Sequence, residues 1–336
     1  RMKLNNTVTI FGGGSWGTAV AKNIAENGYR INLWVREKEV AKSIEKYSVN
    51  KAFLPGIKLP SSISATTTLG GELFKSRILI FSIPTQFIRS SLEFMKPFIR
   101  KDSILINTSK GIEQSSMNSI FGIFQEVLPG IKNKYITMSG PSFAYDVANN
   151  LPTSVTLASY NQSLVLKVMP IFDNKTFKTY LSKDVIGVEL GGSLKNIVSI
   201  GAGIVDGIGG SESTKAAFIT RGLNEVRNLS RILGAKDITF LGLSGVGDLM
   251  LTAYGKQSRN RNLGIKLGKG MRVKEILSSS KTVAEGYYSS KAAYELTKKF
   301  KISSPVIESI YKILYKNSRP QNIIKSLSKN DLITDI

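Results

Sequence analysis

The 336-residue sequence contains neither cysteine nor histidine. Without cysteine there is no disulfide, no thiol nucleophile and no thiolate-bound metal. Without histidine, His-based triads, His-dependent dehydrogenase chemistry and imidazole metal sites are excluded. Any general acid or base must be Lys, Asp, Glu or Tyr. Acidic residues are also few: 24 Asp and Glu stand against 46 Lys and Arg, a net charge of +22. Such an excess attracts anions of every kind, from nucleotides and phosphorylated metabolites to membrane surfaces and nucleic acid. Yet there is no compact Lys/Arg block and no basic tail, and the lysines are spread among Asn, Ile and Ser throughout. That pattern reads as composition, with attraction of small anionic ligands as a side effect. Nucleic acid is not an expected partner. No internal repeat or low-complexity tract stands out, and no signal peptide is expected.

What is present is enough apolar residue, 42%, for a sizeable core, and length for about two domains. Residues 7–36 read TVTIFGGGSWGTAVAKNIAENGYRINLWVR. Thr7 to Phe11 is β-branched and aromatic, a buried strand. Gly12, Gly14 and Gly17 follow at GxGxxG spacing. Trp16, Ala19, Val20 and Ile24 then repeat at a helical period, and Gly28 stands where a helix-ending glycine belongs. Arg30 to Val35 is a second strand. In this order the glycines have defined tasks. Gly12 permits the tight turn, Gly14 lets a pyrophosphate approach the backbone, and Gly17 lets helix and strand pack closely. The helix N-terminus faces the anion. Dinucleotide binding is the expectation, the alternative being a glycine turn that binds nothing.

Strand-like runs recur at Arg77 to Ile83, Ser103 to Asn107, Tyr135 to Met138 and Thr153 to Ala158, with helical patterns between them. The alternation predicts an α/β domain built on a largely parallel, doubly wound sheet. Ligands of such sheets sit beyond the carboxyl ends of the strands. Lys110, after one strand, would then lie over the cofactor crevice, and Pro141, after another, suits a helix first turn; each also has a plain reading as turn chemistry, which is the stronger one for Lys110 taken alone.

Beyond about Asp184 strand signals fade and helices dominate, which predicts domains at residues 1–183 and 184–336. Val185 to Val205 has the length of a membrane span, but Glu189, Lys195 and Asn196 lie inside it and would be costly in lipid. It reads as a buried central helix, and no membrane span is expected. Gly191 and Gly192 lie one turn before Lys195, under the path of its side chain, and are expected to leave room there for a ligand; Gly187 and Gly191 also share a face that allows close packing on another element, and the alternative for Lys195 is a snorkelling lysine at the edge of a buried helix. Asp248 and Thr252 stand four apart on one face of a helix start. Ser258 is a plausible N-cap, and the basic start of its helix, with Arg259, suits a phosphate.

Taken together these segments resemble one family. GGGSWGTAVA (12–21), NKAFLPG (50–56), NTSKGIE (107–113), SGPSFA (139–144), GVELGGSLKNIVSIGAGIVDGIG (187–209), AAFITRGLNE (216–225), GLSGVGDLMLT (242–252), QSRNRNLG (257–264) and VAEG (283–286) are similar to the bacterial-type NAD(P)-dependent glycerol-3-phosphate dehydrogenases, nearly end to end. The resemblance implies a Rossmann-like N-terminal domain and an all-α C-terminal domain. It implies reversible reduction of dihydroxyacetone phosphate by NAD(P)H to sn-glycerol 3-phosphate, for phospholipid synthesis, by a cytoplasmic homodimer. Lys195 would be the proton donor and acceptor. Lys110 would touch substrate and cofactor. Gly140, Ser142, Asn196, Asp248, Thr252, Ser258, Arg259 and Asn260 would line the substrate, with Arg259 taking its phosphate and also reaching the cofactor. Gly12, Gly14, Gly17, Ser15, Trp16, Arg36, Ala144, Val283 and Glu285 would contact NADP(H) or NAD(H). No metal is required. Two departures are small: VAEG stands where many members have VVEG, and LTAYG lacks a cysteine often found there. Two rival readings are a lysine-dependent hydroxyacid or sugar-acid dehydrogenase of similar architecture, and a non-enzymatic dinucleotide or anion sensor.

Overall fold

The computed structural model describes residues 6–279 and 284–328. The chain divides into two compact units. The first holds the described residues up to Ser109 together with Ile120–Val188; the second holds Lys110–Ser119 and the described residues from Glu189 on. This division differs from a single cut after residue 183 in two places: Lys110–Ser119 groups with the second unit, and the first unit continues to Val188.

In the first unit β1 (Thr7–Phe11), α1 (Ser15–Glu26), β2 (Arg30–Trp34), α2 (Lys38–Tyr47), β3 (Ile63–Thr66), β4 (Ile78–Phe81), α3 (Ile88–Met95), β5 (Ile104–Asn107), α4 (Ile120–Val127), β6 (Tyr135–Ser139), α5 (Ala144–Ala148), β7 (Thr153–Ala158), α6 (Gln162–Phe172) and β8 (Phe177–Ser182) follow in chain order. The sheet runs β3-β2-β1-β4-β5-β6-β7-β8. Neighbours are parallel except β6 and β7. Strand order reverses beside β1, with β2 on one side and β4 on the other, which makes the carboxyl ends of these strands the natural ligand position.

Alternate residues of the central strands enter two apolar layers. Val8, Ile10, Ile78, Ile80, Ile104, Ile106, Ile136 and Met138 pack in one. Phe11, Leu79, Phe81, Leu105 and Tyr135 pack in the other. Both faces are covered, so β4 and β5 read as unbroken apolar runs. The one polar side chain inside β1, Thr9, is satisfied by donating to the Leu73 carbonyl at 2.7 Å.

Two strands, β3 and β8, were not anticipated; both are sheet edges. The expectation for Pro141 is corrected: α5 starts at Ala144, and Pro141 lies in the preceding loop.

In the second unit α7 (Val185–Gly207, entering it at Glu189), α8 (Glu212–Ile232), α9 (Asp248–Tyr254), α10 (Arg259–Gly268), α11 (Val273–Ser278), α12 (Glu285–Lys299), α13 (Pro305–Tyr315) and α14 (Lys325–Ser328) are the α-helices among the described residues. Helix α7 is buried along its length. No described helix is long and apolar enough to cross a membrane. Helix α10 meets α7 backbone to backbone. A Cβ at Gly203 would lie 2.1 Å from the Arg261 carbonyl oxygen, and one at Gly264 would lie 2.0 Å from that of Ile200. Larger residues would force the two helices apart. Asp206 on α7 clamps the same pair, taking Arg261 at 2.7 Å and the buried Lys215 of α8 at 3.0 Å. Glu225 of α8 accepts from the backbone N–H groups of Val306 and Ile307 at 2.7 and 2.9 Å, capping the start of α13.

Candidate active site

The glycine loop in the first unit is built for an anion. Gly12 has φ +113°, and a Cβ there would sit 2.3 Å from the Ser82 carbonyl oxygen. A Cβ on Gly17 would sit 1.9 Å from the Gly12 carbonyl oxygen. Both are glycine because backbone meets backbone. Gly14 differs: it precedes α1 in ordinary extended geometry, and a Cβ there would meet nothing within 4 Å. The space over the helix start is open, and Gly14 offers no side chain to cap the N–H groups of α1. Open space beside uncapped N–H donors fits the pyrophosphate of a dinucleotide.

The NKAFLPG segment secures this loop. Buried Asn50 donates to the Gly13 carbonyl at 2.8 Å and to Thr18 Oγ1 at 2.9 Å. Ser15 Oγ donates to the Phe53 carbonyl at 2.6 Å. Asn50 was not singled out from sequence, although its segment was; its contact with Gly13 spans 37 residues. Trp16 packs against the apolar layer under α1. Arg36, after β2, is exposed and pairs with Glu37 at 2.7 Å. Gly140 has φ +151°, and Ser142 Oγ donates to its carbonyl at 3.1 Å. Ala144 opens α5 and Glu285 opens α12. Val283 lies outside the described residues.

The second unit carries a charged cluster. Lys195 on α7 is buried, and its Nζ donates to Asp248 Oδ1 at 2.7 Å and to Thr252 Oγ1 at 2.5 Å. Thr252 Oγ1 in turn donates to the Asp248 carbonyl at 2.7 Å. Its proton is thereby committed, and a lone pair faces the lysine. Lys110 reaches the other oxygen of the same carboxylate, Oδ2, at 2.5 Å. One buried carboxylate therefore lies between two lysines. The i,i+4 spacing puts Asp248 and Thr252 on one face of α9, as the sequence suggested, and both reach Lys195.

Gly191 bears out one expectation, close packing on another element, and corrects another. Its open face does not leave room for a ligand: a Cβ there would lie 2.6 Å from the Ser244 carbonyl oxygen. The space is filled by the backbone of residues 244–245. That close approach brings the start of α9, and Asp248 with it, onto α7.

Burial pushes the Lys195 ammonium down to about 8, with Lys110 and Arg259 adding to the effect and Asp248 opposing it. For Asp248 burial acts to raise the pKa. The adjoining charges of Lys110 and Lys195 outweigh it and hold the carboxyl below its usual range. The acid is thus fixed as an anion, and the lysine sits within reach of both its charge states near neutral pH.

Ser258 caps α10 as expected, accepting from the Arg261 N–H at 3.1 Å. Arg259 follows as the first residue of that helix, with its side chain exposed. Asn260 is buried and donates to Asn196 Oδ1 at 2.9 Å, while its own Oδ1 accepts from the Gly286 N–H at 3.0 Å. These two asparagines, next to Arg259 and Lys195 in sequence, tie α7, α10 and α12 together. Ser193, not singled out from sequence, donates to the Gly111 carbonyl at 3.1 Å and fastens the residue after Lys110.

The family model described as NAD-dependent glycerol-3-phosphate dehydrogenase N-terminus matches residues 7–165, and its C-terminal counterpart matches residues 184–325. A glycerol-3-phosphate dehydrogenase (NAD(P)+) of Syntrophobacter fumaroxidans is 38% identical over 98% of each chain. That of Carboxydothermus hydrogenoformans is 40% identical over 94% of each. Among solved structures, the glycerol-3-phosphate dehydrogenase of Coxiella burnetii superposes with a TM-score of 0.90 at 32% identity, covering 96% of this chain and 99% of that one. The chain belongs to the NAD-dependent glycerol-3-phosphate dehydrogenase family, whose oxidoreductase activity and NAD(P)(H) cofactor it shares.

Proposed function

We propose that this dehydrogenase reversibly reduces dihydroxyacetone phosphate to sn-glycerol 3-phosphate, with Lys195 giving the proton in reduction and taking it in oxidation. The observation that carries this reading is the buried lysine sharing Asp248 with a second lysine, in a chain that has no histidine. The bound nicotinamide supplies or receives the hydride. As hydride adds to the ketone carbon, charge builds on its oxygen, which needs a cation and a proton. An ammonium has three N–H donors. On Lys195 two are directed at Asp248 and Thr252, and the third serves the substrate oxygen. Asp248 and Thr252 hold the donor in place, and Lys110 adds a second positive charge.

The exposed guanidinium of Arg259 takes the substrate phosphate with its planar fork, helped by the backbone donors at the start of α10. Asn196, Asn260 and Ser258 support that helix and the substrate side; Gly140 and Ser142 contribute further contacts. The glycine loop, with Ser15, Trp16, Arg36, Ala144, Val283 and Glu285, serves the cofactor. Dinucleotide binding is assigned to residues 1–183, and substrate binding and catalysis to 184–336 with Lys110 added. In the cell we assign it to glycerophospholipid supply, as a cytoplasmic homodimer, which sedimentation and cell fractionation test. A hydroxyacid dehydrogenase of similar architecture is disfavoured by the family match over the helical half.

Lys195→Met keeps side-chain length and much of the helical propensity. It should bind NADPH normally while turnover, read as loss of nicotinamide absorbance with dihydroxyacetone phosphate, falls by roughly 10⁴-fold or more. A folded, NADPH-binding variant that keeps a tenth of wild-type activity would sink the assignment and make Lys110 the candidate.

A further inference from the structure

The segment carrying Lys110 is closed on itself. Ile112 pairs antiparallel with Ser119, Glu113 N–H donates to the Asn118 carbonyl at 3.0 Å, and Met117 N–H donates to that of Glu113 at 2.9 Å. A strap so bonded moves as one body. Its front is fastened by Lys110 on Asp248 and by Ser193 on the Gly111 carbonyl. Its rear is fastened elsewhere, at the end of α13. Gln114 Nε2 donates to Tyr315 Oη at 3.0 Å, and Tyr315 Oη donates to the Tyr287 carbonyl at 2.7 Å.

Tyr315 is a stiff anchor. Its ring stacks on Tyr287 at 4.7 Å and on Tyr311 at 5.3 Å, and Tyr311 stacks on Tyr294 at 4.0 Å. The phenol accepts one hydrogen bond and donates one, so its orientation is set. Burial pushes its pKa up, which keeps the proton on it across the working range. Nothing in the proposed chemistry calls for four stacked tyrosines here.

We propose that Tyr315, through Gln114, is a positioning residue for Lys110: it holds the rear of the strap and thereby sets where the lysine meets Asp248. The inference rests on the reading of Lys195 and Lys110 given above. The charged groups around Lys195 are Asp248 on α9, Lys110 on the strap and Arg259 on α10, the last facing Glu285 on α12. Loosening the strap withdraws one of the two cations that disfavour the charged lysine. The proton on Lys195 is then held to higher pH.

Tyr315→Phe keeps the ring stack and removes only the hydroxyl. It should raise the KM for dihydroxyacetone phosphate about 3- to 10-fold, the range of one lost hydrogen bond. NADPH affinity should stay unchanged, and the alkaline fall of kcat/KM in reduction should move to higher pH. Gln114→Leu should do the same. In a Lys110→Met background, Tyr315→Phe should have no further effect, because its route is gone. If the two changes multiply independently, or if Tyr315→Phe lowers Tm while KM and pH profile match wild type, the positioning role is refuted. An active Lys195→Met enzyme would instead refute the proton-donor reading, and the Lys110–Tyr315 cycle on KM would still decide this one.

Discussion

The two candidate regions are built by opposite means. The glycine loop uses almost no side-chain chemistry: Gly12 and Gly17 are set by backbone clearance, and Gly14 contributes open space. The helical unit uses side chains, bringing half-buried Lys110 onto buried Asp248 and Lys195. A backbone site works at any pH and needs no counter-charge, because its donors are amides. A buried charged cluster is costly to desolvate and depends on each partner. In return it holds a proton whose release lies near neutral pH, which amides cannot do.

The largest expected break in this contrast comes from Asp248→Asn. It leaves two lysines facing each other without their shared anion, and breaking a buried pair in this way typically costs about 3–5 kcal/mol of stability. Reduction should fall by roughly 10²–10⁴-fold. The pH sign follows from the lysine. On the proposed reading, reduction in wild type needs the proton on Lys195, whose pKa is pushed down to about 8. So kcat/KM for reduction should be level below about 8 and fall above it, while oxidation of glycerol 3-phosphate should rise through the same region. Asp248 favours the charged lysine, so Asp248→Asn should move both limbs to lower pH. Limbs that stay at the wild-type position, with the variant folded, would show that Asp248 does not govern the lysine. NADPH binding, measured by fluorescence, should survive.

Gly14→Ala tests the other side with a smaller effect. Gly14 has ordinary backbone geometry, and its new Cβ meets no protein atom within 4 Å. Folding and Tm should be unchanged. The methyl fills the approach of the pyrophosphate, so the Kd for NADPH should rise on the order of 10- to 100-fold, about 1.4–2.8 kcal/mol. The pH limbs should stay where they are. Unchanged NADPH affinity would mean that the anion does not use this approach.

The same contrast explains what could be read in advance. GxGxxG is a local constraint, and each glycine's task follows from the few residues around it. β1, β2, β4 and β5 were legible because both faces of the sheet are covered and the strands are mostly apolar or β-branched. The cluster was only partly legible. Asp248 and Thr252 share a helix face, which spacing reveals. Their meeting with Lys195 spans 53 and 57 residues, and that of Lys110 with Asp248 spans 138, so only the family resemblance suggested them. A glycine face such as that of Gly191 signals either room for a ligand or close packing, and a sequence cannot show that the Ser244 backbone is what occupies it. β3 and β8 escaped notice as edge strands, where burial shapes the sequence less. Pro141 misled because X-Pro turns serve loops as well as helix starts.

The smallest effect concerns the one place where the cofactor side relies on charged side chains. Arg36 and Glu37 follow β2, where an acid would hold a ribose 2′-hydroxyl and an arginine would accommodate a 2′-phosphate. They pair with each other at 2.7 Å, with the arginine side chain 74% exposed. An exposed pair of this kind is worth little, roughly 0–1 kcal/mol, so the guanidinium can leave it for a stronger anion. A 2′-phosphate is such an anion, binding the planar fork through charge-assisted hydrogen bonds. Arg36→Ala should therefore weaken NADPH about 10-fold, the lower end of what a hydrogen bond to a charged group contributes, while leaving NADH within about 2-fold. Glu37 is freed by the same change and becomes available to the ribose hydroxyls of NADH. The measurement is the ratio of the two dissociation constants, taken without substrate so that the lysine cluster does not enter. Equal losses for both cofactors would show that Arg36 does not read the 2′-position, and the choice between them would then rest on Glu37 or on the backbone alone.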